Sequence, residues 1–150
     1  MWLDAALAYL HFTAVFVLFA FLTVELMLAR APLDASAIRL MARVDGWYAG
    51  AAVLVLATGL ARLYWGAKGP AFYTGDWVFW GKLALFAAVG ALSLPPTFAY
   101  FRWRKRLESE PRWSVPEEER RLLRRYLMLE VHVAAMIPLF AVVMARGLAR

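Results

Sequence analysis

The sequence predicts an all-α integral membrane protein in which four helices form a bundle across the bilayer. Apolar residues make up 63% of the 150-residue chain, whereas an ordinary soluble domain is about half apolar. Four separate stretches also reach the roughly 20 apolar residues that cross about 30 Å of hydrocarbon. We place these spans near residues 3–29, 45–65, 78–100 and 123–146, in one domain that covers residues 1–150.

The first two spans are interpreted from what precedes them. The chain begins Met1-Trp2-Leu3-Asp4 without the basic segment of a signal peptide, so we expect the first span to be a retained helix. Asp34 and Ser36 are typical capping residues, which predicts that the second helix begins before the membrane and continues through the second span. We interpret the aromatic residues near span ends, including Tyr48 and Tyr100, as an interfacial belt.

The last two spans follow a turn and a charged segment. Segment 66–70, which contains two glycines and a proline, predicts a turn, and Trp77 and Trp80 then mark the interface where the third span begins. Segment 114–117 has the pattern of a capping box with proline near N1, so we expect the fourth helix to start near Val115. Small residues are frequent in the middle spans, which predicts close helix packing and no wide pore.

The distribution of basic residues predicts the orientation of the bundle. Twelve of the 17 Lys and Arg residues fall in segments 30–43 and 101–125, which join spans on one side. The other five are Arg62, Lys68, Lys82, Arg146 and Arg150. Because basic loops stay in the cytoplasm, we expect both termini on the outer side of the membrane. Basic residues that flank spans also indicate the lipid bilayer as a partner and argue against nucleic acid.

Five ionisable side chains at membrane depth are the main candidates for function: His11, Glu25, Lys82, Glu130 and His132. Each is costly there unless it has a partner, a cavity or a cofactor. For Glu25 we expect an arginine partner at the inner boundary, such as Arg43. Glu130 and His132 are two residues apart, so they point to roughly opposite sides of their helix. Lys82 either reaches back to the interface or points inward, where it would pair with an acidic ligand group.

Two of these residues suggest a haem site. In antiparallel neighbouring helices His11 and His132 would lie at similar depths near the midplane, and imidazoles on facing helices are the ligands of b-type haem. His11 is the first choice as a ligand of the haem iron, and His132 or Lys82 supplies or supports the other side. The absence of cysteine excludes covalent haem attachment, so the expected cofactor is haem b.

Several short segments resemble a known family. They are Tyr9–Phe12, Glu25–Leu26, Ala42–Asp45, Ala57–Arg62, Gly66–Gly69, Phe79–Leu83 and Ser93–Thr97. Together they look like a family of small bacterial four-span membrane proteins known chiefly as a domain of unknown function. This resemblance implies the fold and a multi-pass location in the bacterial inner (cytoplasmic) membrane, and it implies no activity. More distantly, the layout is similar to the HemJ-type protoporphyrinogen oxidases, which are four-span, haem-associated proteins. That resemblance implies a functional histidine at His11 and a functional lysine at Lys82.

Three functions are compatible with the sequence. The first is a membrane b-type haem protein that carries out one-electron transfer or a haem-linked oxidation with a redox partner. The second is a proton-coupled transporter or channel that uses Glu25, Lys82 and Glu130 as a relay and needs a homo-oligomer to form a path. The third is a non-catalytic membrane partner subunit, which is recognised through the basic segment 101–125.

Overall fold

Helices account for most of residues 2–146, the part of the chain that this computed structural model describes. They are α1 (Trp2–Leu28), α2 (Ala35–Trp65), α3 (Pro70–Thr74), α4 (Trp77–Ser109) and α5 (Glu117–Ala145). Apart from the short α3, each is long and apolar enough to cross a membrane, and no strand occurs among the described residues. The predicted all-α membrane bundle is therefore confirmed. Arg150, which was counted above among the basic residues, lies outside the described residues.

Three of the long helices extend beyond the spans that the sequence predicts for them. α2 begins at Ala35 and α5 at Glu117, which confirms that both helices start before their spans. α4 continues to Ser109, beyond the predicted end of its span near residue 100. The added turns carry arginine and acidic side chains. They therefore project from the apolar layer on the side of the basic segments.

The long helices form a ring in the order α1, α2, α4, α5. α1 packs chiefly against α2 and α4 chiefly against α5, and smaller contacts of α2 with α4 and of α1 with α5 close the ring. Consequently α1 is diagonal to α4, and α2 is diagonal to α5. We call the end where α1 begins and α5 finishes the terminal end. The opposite end, with the connections 29–34 and 110–116, is the basic end.

The seam between α1 and α2 sets the depth of the polar side chains. His11 on α1 is 3.0 Å from the hydroxyl of Thr58 on α2, and the antiparallel register then brings Glu25 level with Asp45. Buried apolar residues fill the seam between these pairs: Ala14, Leu18, Leu22, Ala51 and Val55. The bundle therefore holds two polar layers, about 21 Å apart along α1.

Two predicted helix starts have different outcomes. The Asp34 carboxylate accepts a hydrogen bond from the backbone N–H of Ala37 at 2.7 Å, which confirms it as the N-cap of α2. Hydrogen bonds from the Ser36 hydroxyl and from this N–H hold the pKa of Asp34 below its ordinary value. The predicted capping box at 114–117 is wrong, because α5 begins after Pro116 with no side-chain cap.

The start of α5 is held instead by its neighbour α4. The Glu119 carboxylate accepts hydrogen bonds from the indole N–H of Trp103 and from the guanidinium of Arg102, each at 2.7 Å. Trp103 is buried and offers both an apolar ring and a polar N–H. This contact therefore fixes the register of α4 and α5 at the basic end.

Candidate functional site

Two buried glutamates are hydrogen-bonded to tyrosines on the far side of the bundle. The Tyr48 hydroxyl of α2 donates to Glu130 Oε1 of α5 at 2.6 Å, and the Tyr100 hydroxyl of α4 donates to Glu25 Oε2 of α1 at 3.3 Å. Both bonds join diagonal helices. Glu25 is 2% exposed and Glu130 is 0% exposed. Both carboxyl groups therefore lie inside the bundle and do not face the lipid.

Each of these glutamates also has one oxygen without a hydrogen-bond partner. Glu25 Oε1 and Glu130 Oε2 are buried, and no group among the described residues donates to them. Leaving a buried polar atom unpaired costs about 1–3 kcal/mol. These two oxygens therefore need a proton or a hydrogen-bond donor that the described side chains do not supply.

A third carboxyl group, that of Asp45 on α2, lies near these two. The Thr97 hydroxyl of α4 donates to Asp45 Oδ1 at 2.7 Å, and Asp45 lies within electrostatic range of Glu25 and Glu130. Asp45 and Thr97 also line a partly open cavity of about 170 Å³ between α2 and α4. Most of its lining is apolar, but Asp45, Tyr48, Ser93 and Thr97 supply the polar groups that can hold a water molecule there. We call Glu25, Asp45 and Glu130 the carboxyl layer.

Two prolines change the backbone of α4 beside this cavity. Pro95 and Pro96 lie inside the helix. Proline has no N–H, so the carbonyls of Ala91 and Leu92 lose their usual helical donors. Ser93, in the same turn, lines the cavity. Ser93 and Thr97 therefore contribute hydroxyl groups to the same cavity lining as Asp45.

No ion pair among residues 2–146 neutralises the carboxyl layer. The four ion pairs among the described residues join arginines and glutamates at the basic end, and none includes a member of the layer. The predicted pairing of Glu25 with Arg43 is wrong, because Arg43 is exposed and Glu25 bonds to Tyr100. Arg43 is two residues from Asp45, so the two point to opposite sides of α2. Within the described part of the chain, no three His, Asp or Glu side chains are grouped so that they could hold a metal ion.

His11 stands in the second polar layer, toward the terminal end. Its Nδ1 is 3.0 Å from Thr58 Oγ1, and that hydroxyl itself donates to the carbonyl of Leu54 at 2.7 Å. Because the hydroxyl proton is used there, we assign the Nδ1–H tautomer, in which Nε2 keeps its lone pair. An added Cβ at Gly59 would lie 3.3 Å from His11 Cε1, so the missing side chain leaves room for the imidazole.

Two cationic side chains accompany His11. Arg62 and Lys82 both lie within electrostatic range of the imidazole. The Arg62 guanidinium is 5.3 Å from the ring centre of Phe12, and Lys82 Nζ is 5.9 Å from that of Phe79. None of the ion pairs among the described residues includes either cation. The layer around His11 is therefore cationic, whereas the layer at the basic end is acidic.

His132 lies apart from His11. Its Nδ1 is 2.6 Å from the carbonyl oxygen of Met128 on the same helix, and its ring is exposed on the outer face of α5. Glu130 is buried, which confirms that these two residues point to opposite sides of α5. His11 faces α2, the helix diagonal to α5. The described contacts thus do not bring the two imidazoles of the predicted haem site together.

The sequence interpretation overlooked the tyrosines that bond to the carboxyl layer. Although they lie near span ends, Tyr48 and Tyr100 are not residues of an interfacial belt, because both are buried. The buried residues of α2 include Asp45, Tyr48, Ala51 and Val55, which recur at intervals of three and four. That interval marks one face of a helix, so it could have placed Asp45 and Tyr48 inside the bundle.

Comparison with known protein families assigns the chain to one of them. A family model described as "Predicted membrane protein (DUF2214)" matches residues 3–149. The chain belongs to this family. Membership in the DUF2214 family agrees with the four membrane helices and assigns no activity. No curated protein and no solved structure matches the chain, and the resemblance to the HemJ-type oxidases gains no support from these comparisons.

Proposed function

We propose that this DUF2214 protein is a proton-coupled membrane protein whose carboxyl layer binds and releases protons. One observation carries the proposal. Glu25 and Glu130 are both buried, each bonded through one oxygen to a tyrosine on the diagonal helix and unpartnered at the other oxygen. A proton bound at the free oxygen removes the charge without requiring any further side chain.

Electrostatics favours protons over a metal ion as the ligand of this layer. An ionised carboxylate buried without a counter-charge is costly, and the neutral acid avoids that cost. Carboxylates within range of one another also repel when they are ionised. Because the described carboxyl groups do not converge in a group of three that could hold a metal ion, protonation is the simpler way to neutralise them.

The cavity beside Asp45 offers protons a way into the layer. Water in this cavity would contact Asp45, which lies within electrostatic range of Glu25 and Glu130. Beyond the layer, apolar packing separates the carboxyl groups from His11 by about 21 Å. Transfer across the membrane therefore requires helix movement or a path formed between copies in a homo-oligomer. With the basic segments in the cytoplasm of a bacterium, the carboxyl layer lies toward the cytoplasmic side.

Proton flux into liposomes tests this proposal. Purified protein is reconstituted with a pH-sensitive dye inside the vesicles, and a potassium diffusion potential drives proton entry. Wild-type protein should acidify the lumen faster than protein-free liposomes do, and Glu130→Gln and Glu25→Gln should lose most of that flux. Glu118→Gln is the matched control, because Glu118 is exposed and belongs to no ion pair among the described residues.

Two outcomes would reject the proposal. Wild-type flux no greater than that of protein-free liposomes would remove proton coupling as the function. Equal flux in wild type, Glu130→Gln and Glu25→Gln would show that these two carboxyl groups do not take part in proton transfer. Losses of stability without any loss of flux would instead favour the third predicted function, a non-catalytic partner subunit.

Haem binding is a second candidate because of the geometry at His11. Thr58 orients this imidazole through Nδ1 and leaves Nε2 free, which is how proteins commonly orient a ligating histidine. His11 would then hold the iron of haem b, and Lys82 at the same end would meet an acidic group of the macrocycle. The bound haem would supply one-electron chemistry, which requires a redox partner. His132 gives less support to this candidate, since it faces away from the bundle.

An absorption spectrum decides the haem candidate. Protein expressed with haem supplied should show a Soret band that is lost in His11→Ala and retained in His132→Ala. The absence of any Soret band, or a band unchanged in His11→Ala, would remove haem binding. The spectrum and the flux assay have independent readouts, so each candidate can fail without the other.

A further inference from the structure

A groove runs along the outer face of α5. It is shallow, has a volume of about 630 Å³, and is lined by Arg121, Arg124, Arg125, Met128, Leu129 and His132. These residues recur at intervals of three and four, so they share one side of the helix. Arginines occupy one end of the stripe, and two apolar residues with one imidazole occupy the other. We call this surface the α5 groove.

The length of the α5 groove matches one leaflet of a bilayer. His132 lies eleven positions after Arg121, which corresponds to about 16.5 Å along a helix. Half of the hydrocarbon thickness is about 15 Å. The arginines lie at the basic end, so they stand at head-group depth when His132 lies near the middle of the membrane.

The arginines of the groove have cationic groups available for a ligand. Arg124 is paired with Glu117 at 2.8 Å. Arg121 and Arg125 are exposed, and neither belongs to an ion pair among the described residues. Arg30, which follows α1, brings Nη2 to 3.9 Å from Met128 Sδ. A guanidinium group from a second segment of the chain therefore lies beside Met128, next to the arginines of the groove.

We propose that the α5 groove binds one anionic phospholipid, with its phosphate between the guanidinium groups of Arg30, Arg121 and Arg125. One acyl chain then lies along Met128 and Leu129 and covers the exposed ring of His132. Guanidinium groups bind phosphate through paired N–H bonds, and basic pockets beside membrane helices bind anionic head groups. This site is separate from the carboxyl layer and does not depend on proton coupling.

Native mass spectrometry of the detergent-purified protein tests the proposal. The protein is titrated with phosphatidylglycerol and, separately, with zwitterionic phosphatidylcholine of the same chain length. The test variant is Arg121→Ala/Arg125→Ala. The matched control is Arg104→Ala/Arg112→Ala, which removes the same charge from exposed arginines of the basic end outside the groove. Circular dichroism checks that both variants retain their helices.

The proposal makes a quantitative prediction for the first bound phosphatidylglycerol. Its affinity should fall roughly 30-fold in the groove variant, because each basic residue near an anionic lipid contributes a factor of about five. The control variant should keep the wild-type affinity, and phosphatidylcholine should bind weakly to all three proteins. Equal losses in both double variants would show attraction by net charge alone and overturn the site. The site would equally be overturned if wild type did not prefer phosphatidylglycerol.

Should the groove variant lose its helices, wild-type protein supplies a second measurement. Soluble glycerol phosphate should fail to displace the first phosphatidylglycerol, because it has no acyl chain to lie along the apolar part of the groove. Displacement by glycerol phosphate at concentrations similar to those of the lipid would contradict the predicted acyl contact.

Discussion

The hydrogen bond between Tyr48 and Glu130 gives the most specific prediction about the carboxyl layer. Tyr48→Phe removes only the hydroxyl that donates to Glu130 Oε1 at 2.6 Å. Because Glu130 Oε2 already lacks a partner, the variant leaves this buried carboxyl group with no hydrogen bond. The change in volume is small, so any loss of stability reports on the bond rather than on packing.

The size of the effect follows from the burial and length of the bond. Hydrogen bonds between membrane helices average about 0.6 kcal/mol and reach about 1.7 kcal/mol. The Tyr48 bond is short and both partners are buried, so we expect Tyr48→Phe to lower the free energy of unfolding by about 1.5 kcal/mol. The Tyr100 bond to Glu25 is longer, at 3.3 Å. For Tyr100→Phe we therefore expect less than about 1 kcal/mol.

The assay is reversible unfolding in mixed detergent micelles, with a double-mutant cycle. Tyr48→Phe, Glu130→Leu and the double variant give the coupling energy of the pair, which should be at least about 1 kcal/mol. Tyr9→Phe is the control, since Tyr9 is 71% exposed and should leave stability unchanged. A coupling energy near zero, or equal losses for Tyr48→Phe and Tyr9→Phe, would refute the cross-bundle bond.

Two further predictions test the packing and the helix cap. Gly81→Ala should lower the free energy of unfolding by about 1–3 kcal/mol, because the added Cβ would lie 2.7 Å from Phe140 Cε1. Gly50→Ala is the control and should be neutral or stabilising, because an added Cβ there would have nothing within 4 Å. Equal losses for the two variants in thermal unfolding would contradict this packing. Hydrogen bonds from Ser36 and Ala37 lower the pKa of the Asp34 carboxyl group in the folded protein. Asp34 therefore stabilises the fold at pH values above the pKa it has in the unfolded chain, and this stabilisation is lost as the pH falls through the folded-state pKa. Asp34→Ala should therefore lower the unfolding temperature at neutral pH and flatten its decline in acid, and an unchanged acid profile would argue against the cap.

The fold could be predicted from the sequence because membrane helices are specified by local properties. Apolar length, basic flanking segments and the cap at Asp34 can each be recognised within a short stretch of chain. The opposite directions of Glu130 and His132 also followed from helix periodicity alone. The starts of α2 and α5 ahead of their spans could also be predicted from local residues, whereas the charged continuation of α4 to Ser109 was not predicted.

The partners within the site could not be predicted because they depend on which helices are diagonal. Tyr48 and Glu130 are 82 residues apart, and no local pattern shows that their helices face each other across the bundle. The expected partner of Glu25 failed for a related reason. Arg43 is close to the required depth, but the rotation of α2 that buries Asp45 turns Arg43 outward. Depth can be estimated from a single segment, whereas helix rotation and neighbour order depend on the whole bundle.

Infrared spectroscopy of the purified protein tests the central claim most directly. If the carboxyl layer binds protons, wild-type protein at neutral pH should show the carbonyl band of a protonated carboxylic acid, shifted in deuterium oxide. That band should lose intensity in Glu130→Gln and in Glu25→Gln and stay unchanged in Glu118→Gln. A spectrum with ionised carboxylates alone, or a protonated band insensitive to both buried substitutions, would contradict the account.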